Sequence, residues 1–172
     1  MSAYEIYIAY ATIVRKEIQR FMRIWVQTLL PPSIIMVLYF IIFGNLIGTR
    51  IGQMGGFDYM QFIVPGLIMM SVITNSYGNV VSSFYSTKYQ GSLEEMLVSP
   101  MPNWVILAGY ITGGVARGLA VGTIVTSLSL FFTQLEIYNL GIIILVVLMT
   151  SILFSLGGFI NAVFANSFDD IS

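Results

Sequence analysis

The sequence predicts an all-α, polytopic membrane helix bundle: an N-terminal interfacial amphipathic helix followed by four transmembrane spans. Two observations carry that fold class. Of 172 residues, 57% are hydrophobic and only 9% charged, with a mean hydropathy of +0.88. A soluble domain carries about 25% charged residues. The apolar residues also gather into four runs, each near the ~20 residues that cross a bilayer. A net charge of -1 and a pI near 5.2 supply no basic face for nucleic acid. Cysteine and histidine are both absent, which excludes a disulfide framework, a thiolate nucleophile and Cys/His metal clusters.

The first element is the stretch 4–23, YEIYIAYATIVRKEIQRFMR. Tyr10, Val14, Ile18, Phe21, Met22 and Trp25 recur at helical spacing, while Arg15, Lys16, Gln19, Arg20 and Arg23 fill the other face. Such a helix lies in the headgroup region, with the basic residues also setting topology. Glu5 comes early and the basic residues late, so the segment does not read as a cleaved signal peptide; the first span is expected to direct insertion uncleaved.

The first span covers 24–47 and contains no charge. Pro31-Pro32 in its first third is expected to kink it. A glycine-rich loop, LIGTRIGQMGG, leads to the second span, 58–83, with Pro65-Gly66 and the polar patch TNSYGN at 74–79. The third span, 104–132, is about 43 Å long at 1.5 Å per residue and exceeds the ~30 Å hydrocarbon core. It carries Arg117, which either binds an anionic substrate or marks the cytoplasmic end of the span and snorkels to the interface. Gly114, Gly118 and Gly122 form a small-xxx-small stripe for close helix packing. A turn, TQLEIYN, precedes the fourth span, 140–164.

Between the second and third spans lies the loop 88–102, KYQGSLEEMLVSPMP. Ser92 and Glu95 match a capping box, Gly91 gives a flexible entry, and Glu94 and Glu95 favour the positive end of the helix dipole. Pro100 and Pro102 stop the helix after about two turns. Leu93, Met96 and Leu97 are expected on one face as an apolar ridge, packed either on the protein's own helices or in a partner's groove. Arg15, Lys16, Arg20, Arg23 and Lys88 fall on one side of the spans and only Arg50 on the other, which predicts a cytoplasmic N-terminus.

The segments FMRIWVQTLLPP, YFIIFGNLIGTRIG, YMQFIVPGLIMMSVITNSYGNVVSSF, GSLEEMLVSPMP, GYITGGVARGLAVG and FSLGGFINAVFANSFDDIS, in that order, resemble the permease subunit of ABC-2 type transporters. The likeness is to a bacterial inner-membrane subgroup and covers essentially the whole chain. It implies a single transmembrane domain over residues 1–172, incomplete because the family has six spans. It also implies a separate ABC ATPase subunit that binds ATP and Mg, a permease dimer at full length, and no cofactor or catalytic residue on this chain. Gly91, Ser92, Leu93, Glu94, Glu95, Met96 and Leu97 would match the coupling helix that docks on the ATPase. Arg15, Lys16, Arg20 and Arg23 would lie on the connecting helix that touches the same subunit.

Asn75, Asn79 and Arg117 are candidates for a translocation pathway, although hydrogen-bonded helix contacts explain the two asparagines equally well. Two rival classes fare worse. An intramembrane protease needs a Ser–His pair or two aspartates within spans, whereas Asp58, Asp169 and Asp170 sit at span ends. A secondary transporter usually buries a coupling-ion carboxylate at midplane, and none stands out in the runs.

Overall fold

The computed structural model describes residues 2–54, 56–135 and 138–171, leaving aside the side chains of Asn45, Thr49 and Met54. Part of the TQLEIYN turn, Glu136 and Ile137, lies outside the described residues, as does Gly55 of the glycine-rich loop. Helix α1 (Ala3–Arg23) opens with a capping box that the sequence reading passed over. The Ser2 amide donates to Glu5 Oε2 at 2.8 Å and the Glu5 amide to Ser2 Oγ at 3.3 Å.

The first span is segmented. A single turn, α2 (Trp25–Thr28), precedes α3 (Leu30–Ile41), a π-helical stretch Ile42–Gly48 and the turn α4 (Thr49–Ile51). Pro31 and Pro32 do not kink a continuous helix, as expected, but occupy the first turn of α3. There the missing amides have no intrahelical partner to lose, so the break falls one step earlier, at Leu29. A short antiparallel ladder, β1 (Gln53–Met54) with β2 (Phe57–Asp58), closes the loop.

Helix α5 (Tyr59–Tyr89) then runs unbroken through Pro65 and the polar patch. It leads to α6 (Ser92–Val98), α7 (Asn103–Ser129) and α8 (Leu140–Phe164), with a 3₁₀ turn at Asp169–Ile171. Four segments are long and apolar enough to cross a membrane: Trp25–Gly48, Tyr59–Tyr89, Asn103–Ser129 and Leu140–Phe164.

Helix α5 is the centre of the bundle, with α7 and α8 packed along it. The contact surfaces are made of small and hydroxyl residues. Val72, Ser76 and Val80 of α5 fill the groove left by Gly114, Gly118 and Gly122 of α7. Ser151, Ser155, Gly158 and Ala162, spaced one turn apart, are the buried residues of α8, and Ser76 and Ser151 share a hydrogen bond of 2.8 Å. Large apolar side chains of α8, such as Ile142, Leu145, Met149 and Leu153, point outward. Small and polar inside with apolar outside is the packing that lipid selects, because tails compete for apolar faces but not for close backbone contact.

Two apolar clusters complete the core. One joins Ile13 of α1, Val80 and Phe84 of α5, Val105 and Tyr110 of α7, and Ala162 of α8. The other joins Met36 and Phe40 of α3, Val64 of α5, and Val121 and Val125 of α7.

Candidate functional site

Helix α6 hangs between the ends of α5 and α7. The expected capping box at Ser92 is absent: Gly91 is the N-cap, and no side chain caps the helix. With φ +76, Gly91 takes the left-handed conformation and its amide donates back to the Lys88 carbonyl at 3.1 Å. The chain therefore turns straight from α5 into α6, and Ser92 is already helical. The Ser99 amide closes the other end on the Glu95 carbonyl, just before Pro100.

The apolar ridge divides. Leu93 and Met96 pack against the cluster around Phe84 and Val105, whereas Leu97 is half-exposed and Val98 almost fully so. Two side chains anchor the helix, and Glu94, Glu95, Leu97 and Val98 form its free face. Lys88 braces the root of this arrangement. Its Nζ donates to the carbonyls of Val163 and Ala165, both at 2.8 Å, at the C-terminal end of α8. Beyond α8, Asp170 accepts from the amides of Asn166 and Ser167, which hold its carboxyl below the usual carboxylate range.

The basic residues of α1 part company. Arg15, Lys16 and Arg23 are exposed, but Arg20 turns into the bundle. Its Nη2 donates to the backbone carbonyl of Asn79 at 3.1 Å and to Asn79 Oδ1 at 2.8 Å. It also lies 3.5 Å from Oε2 of Glu17, a fully buried carboxylate. Glu17 Oε1 accepts from Ser83 Oγ at 2.7 Å. Ile13 and Glu17 enter a notch on α7, where a Cβ on Gly109 would stand 2.9 Å from Ile13 Cβ and one on Gly113 2.6 Å from Glu17 Cβ. One face of α1 is thus held by protein.

Arg117 has a partner inside the bundle. It lies mid-helix in α7, about 20 Å from the helix start at 1.5 Å per residue, and its Nη2 donates to Asn75 Oδ1 at 3.3 Å. Asn75 Nδ2 in turn bonds the Ser71 carbonyl. Arg117 and Asn75 line a cleft of about 630 Å³ between the α2–α3 segment and α5, with Thr28, Pro31, Met36 and Gly78. Of the three pathway candidates the structure brings these two together; Asn79 is fully buried against Arg20 instead. A second, apolar groove of about 600 Å³ runs between α5, α7 and α8, past Pro65, Met69 and Val147. Among the described residues no three acidic side chains cluster as a metal site would require.

Residues 8–172 match the family model described as ABC-2 type transporter. The chain belongs to the ABC-2 type transporter family. Its relatives include the inner membrane transport permease YadH of Escherichia coli (strain K12), of Escherichia coli O157:H7 and of Shigella flexneri. Each is 62% identical over 166 residues, covering 96% of this chain, which spans 65% of their length. No solved structure matches it.

Sequence reasoning missed one structural feature of this ABC-2 chain, the Glu17–Arg20 pair that fixes α1 on the bundle. A signal was present: Glu17 stands four residues from both Ile13 and Phe21, on the stripe that is buried. A charged residue embedded in an apolar stripe marks a partnered charge.

Proposed function

We propose that this chain is the permease subunit of an ATP-driven transporter of the bacterial inner membrane, moving its substrate outward. A separate ATPase subunit, carrying ATP and Mg, docks on α6; the full-length permease works as a pair with two ATPases. The observation that carries the reading is the free face of α6, with Glu94, Glu95, Leu97 and Val98 turned away from the bundle. The name of the YadH relatives, inner membrane transport permease, supports the location and the transport class. The exposed Arg15, Lys16 and Arg23 of α1 lie on the same side as α6 in the basic-residue reading, which supports a cytoplasmic N-terminus. The rival, an ion-coupled secondary transporter, requires a carboxylate facing a path. Glu17, the buried one among the described residues, is paired with Arg20 and lines neither cleft.

The test is co-purification of the ATPase with loop variants of the full-length permease. Leu97 is already half-exposed, so Leu97→Asp does not disturb the fold, but it drives a charge into the docked contact at a cost of several kcal/mol. Loss of the partner with normal membrane insertion is expected. Ser92→Ala should retain the partner, since Ser92 makes no cap bond here. Full retention by Leu97→Asp would move the docking surface off α6.

A further inference from the structure

Among the described residues Arg117 is a cation without a counter-charge. The ion pair among those residues is Arg20 with Glu17, and Arg117 takes no part in it: its hydrogen bond goes to the neutral Asn75. The two guanidiniums are bonded to Asn75 and Asn79, one turn apart on α5, which places both positive charges along one edge of the bundle interior. A guanidinium mid-span is costly unless an anion meets it, and its position marks a pathway or ligand site. Two further polar atoms are unsatisfied there: Arg117 Nε and Ser71 Oγ are buried with no hydrogen-bond partner, and both residues line the same cleft.

The cleft has two characters. Arg117, Ser71, Thr74 and Asn75 make one wall polar, and the facing α3 wall, with Pro31, Pro32, Ile35 and Met36, is apolar up to Gln27 and Thr28 of α2 at its end. A polar wall with an unmatched positive charge and a facing apolar wall suit a ligand with a negative head and a hydrocarbon tail. Its head group takes the guanidinium edge that Asn75 leaves unused, a charge-assisted contact of the kind arginine makes with phosphate and carboxylate. We infer that this cleft binds an anionic amphiphile, with its phosphate or carboxylate on Arg117 and its tail along α3. The site does not depend on whether an ATPase drives the chain.

Native mass spectrometry of the purified, delipidated chain tests this, after exposure to an equimolar mixture of phosphatidylglycerol and phosphatidylcholine. Preferential retention of phosphatidylglycerol is expected. Arg117→Gln should lower that preference about tenfold or more, the worth of a hydrogen bond to a charged group. Gly78→Leu gives a second route should Arg117→Gln fold poorly. Gly78 lines the cleft and an added Cβ meets nothing within 4 Å, so a leucine there should extend into the cleft and expel the lipid. Arg15→Gln, at an exposed position, should keep the preference. Dodecyl phosphate should displace the lipid where inorganic phosphate at the same concentration does not; equal displacement by both would overturn the amphiphile and leave a plain phosphate site. Equal retention of the two lipids by the wild-type chain, or an unchanged preference in both cleft variants, would overturn the proposal altogether.

Discussion

Truncating Glu17 to alanine should release α1 from the bundle. The largest loss is at Ser83, whose buried hydroxyl gives up its 2.7 Å acceptor; an orphaned buried donor costs about 1–3 kcal/mol. The ion pair adds less. Its separation is 3.5 Å, the Arg20 side chain is 32% exposed, and Arg20 keeps both bonds to Asn79, so its loss costs under about 1 kcal/mol. The hole left in the Gly113 notch brings the total to about 3 kcal/mol. Glu17→Gln keeps an oxygen for Ser83 and should cost nearer 1 kcal/mol. Because the chain has no cysteine, Ala9→Cys gives a clean reporter on the packed face of α1. A 3 kcal/mol loss raises the open population about a hundredfold, and thiol labelling should accelerate accordingly, with a lower melting temperature in detergent. Should Glu17→Ala on the Ala9→Cys background label and melt like its parent, the docking of α1 rests on its apolar contacts alone.

Two further outcomes follow from the packing and the charge distribution. Gly118→Leu must push against Ser76 and the Val72 carbonyl, the latter 3.2 Å from the new Cβ, and should lower the melting temperature by an overpacking cost of about 1–3 kcal/mol or more. Gly157→Ala, where nothing lies within 4 Å, should leave stability unchanged or raise it by up to about 1 kcal/mol; equal effects at the two sites would deny the stripe its packing role. A cysteine at the exposed Gln90 should stay unlabelled by an impermeant maleimide added to intact cells and react once the membrane is opened. Labelling from outside would reverse the orientation.

The bundle was legible because its signals are local. Length and hydropathy mark a span wherever it sits, so the four long apolar helices could be read without knowing what each one touches. The same S-x-x-E pattern occurs twice, and the contrast shows where local reading stops. At Ser2 it closes into a capping box; at Ser92 it does not, because Gly91 adopts positive φ and takes the N-cap position first. The neighbour decides, not the motif.

Helix α1 shows the deeper limit. Periodicity sorts residues by polarity and assumes the polar face meets water, which holds for Arg15, Lys16 and Arg23. It fails for Glu17 and Arg20, whose positions are set by a glycine notch on α7 and by Asn79 and Ser83 on α5, all far along the chain. In a membrane bundle, polar side chains are held inside where they can satisfy one another while lipid takes the apolar faces. Arg117 follows the same rule. The excess length of its span left open whether it meets a substrate or the interface, and only the fold shows that Asn75 waits on the adjacent helix and a cleft opens beside both. What α1, α8 and Arg117 share is that the partner, not the residue's own polarity, fixes which way it faces.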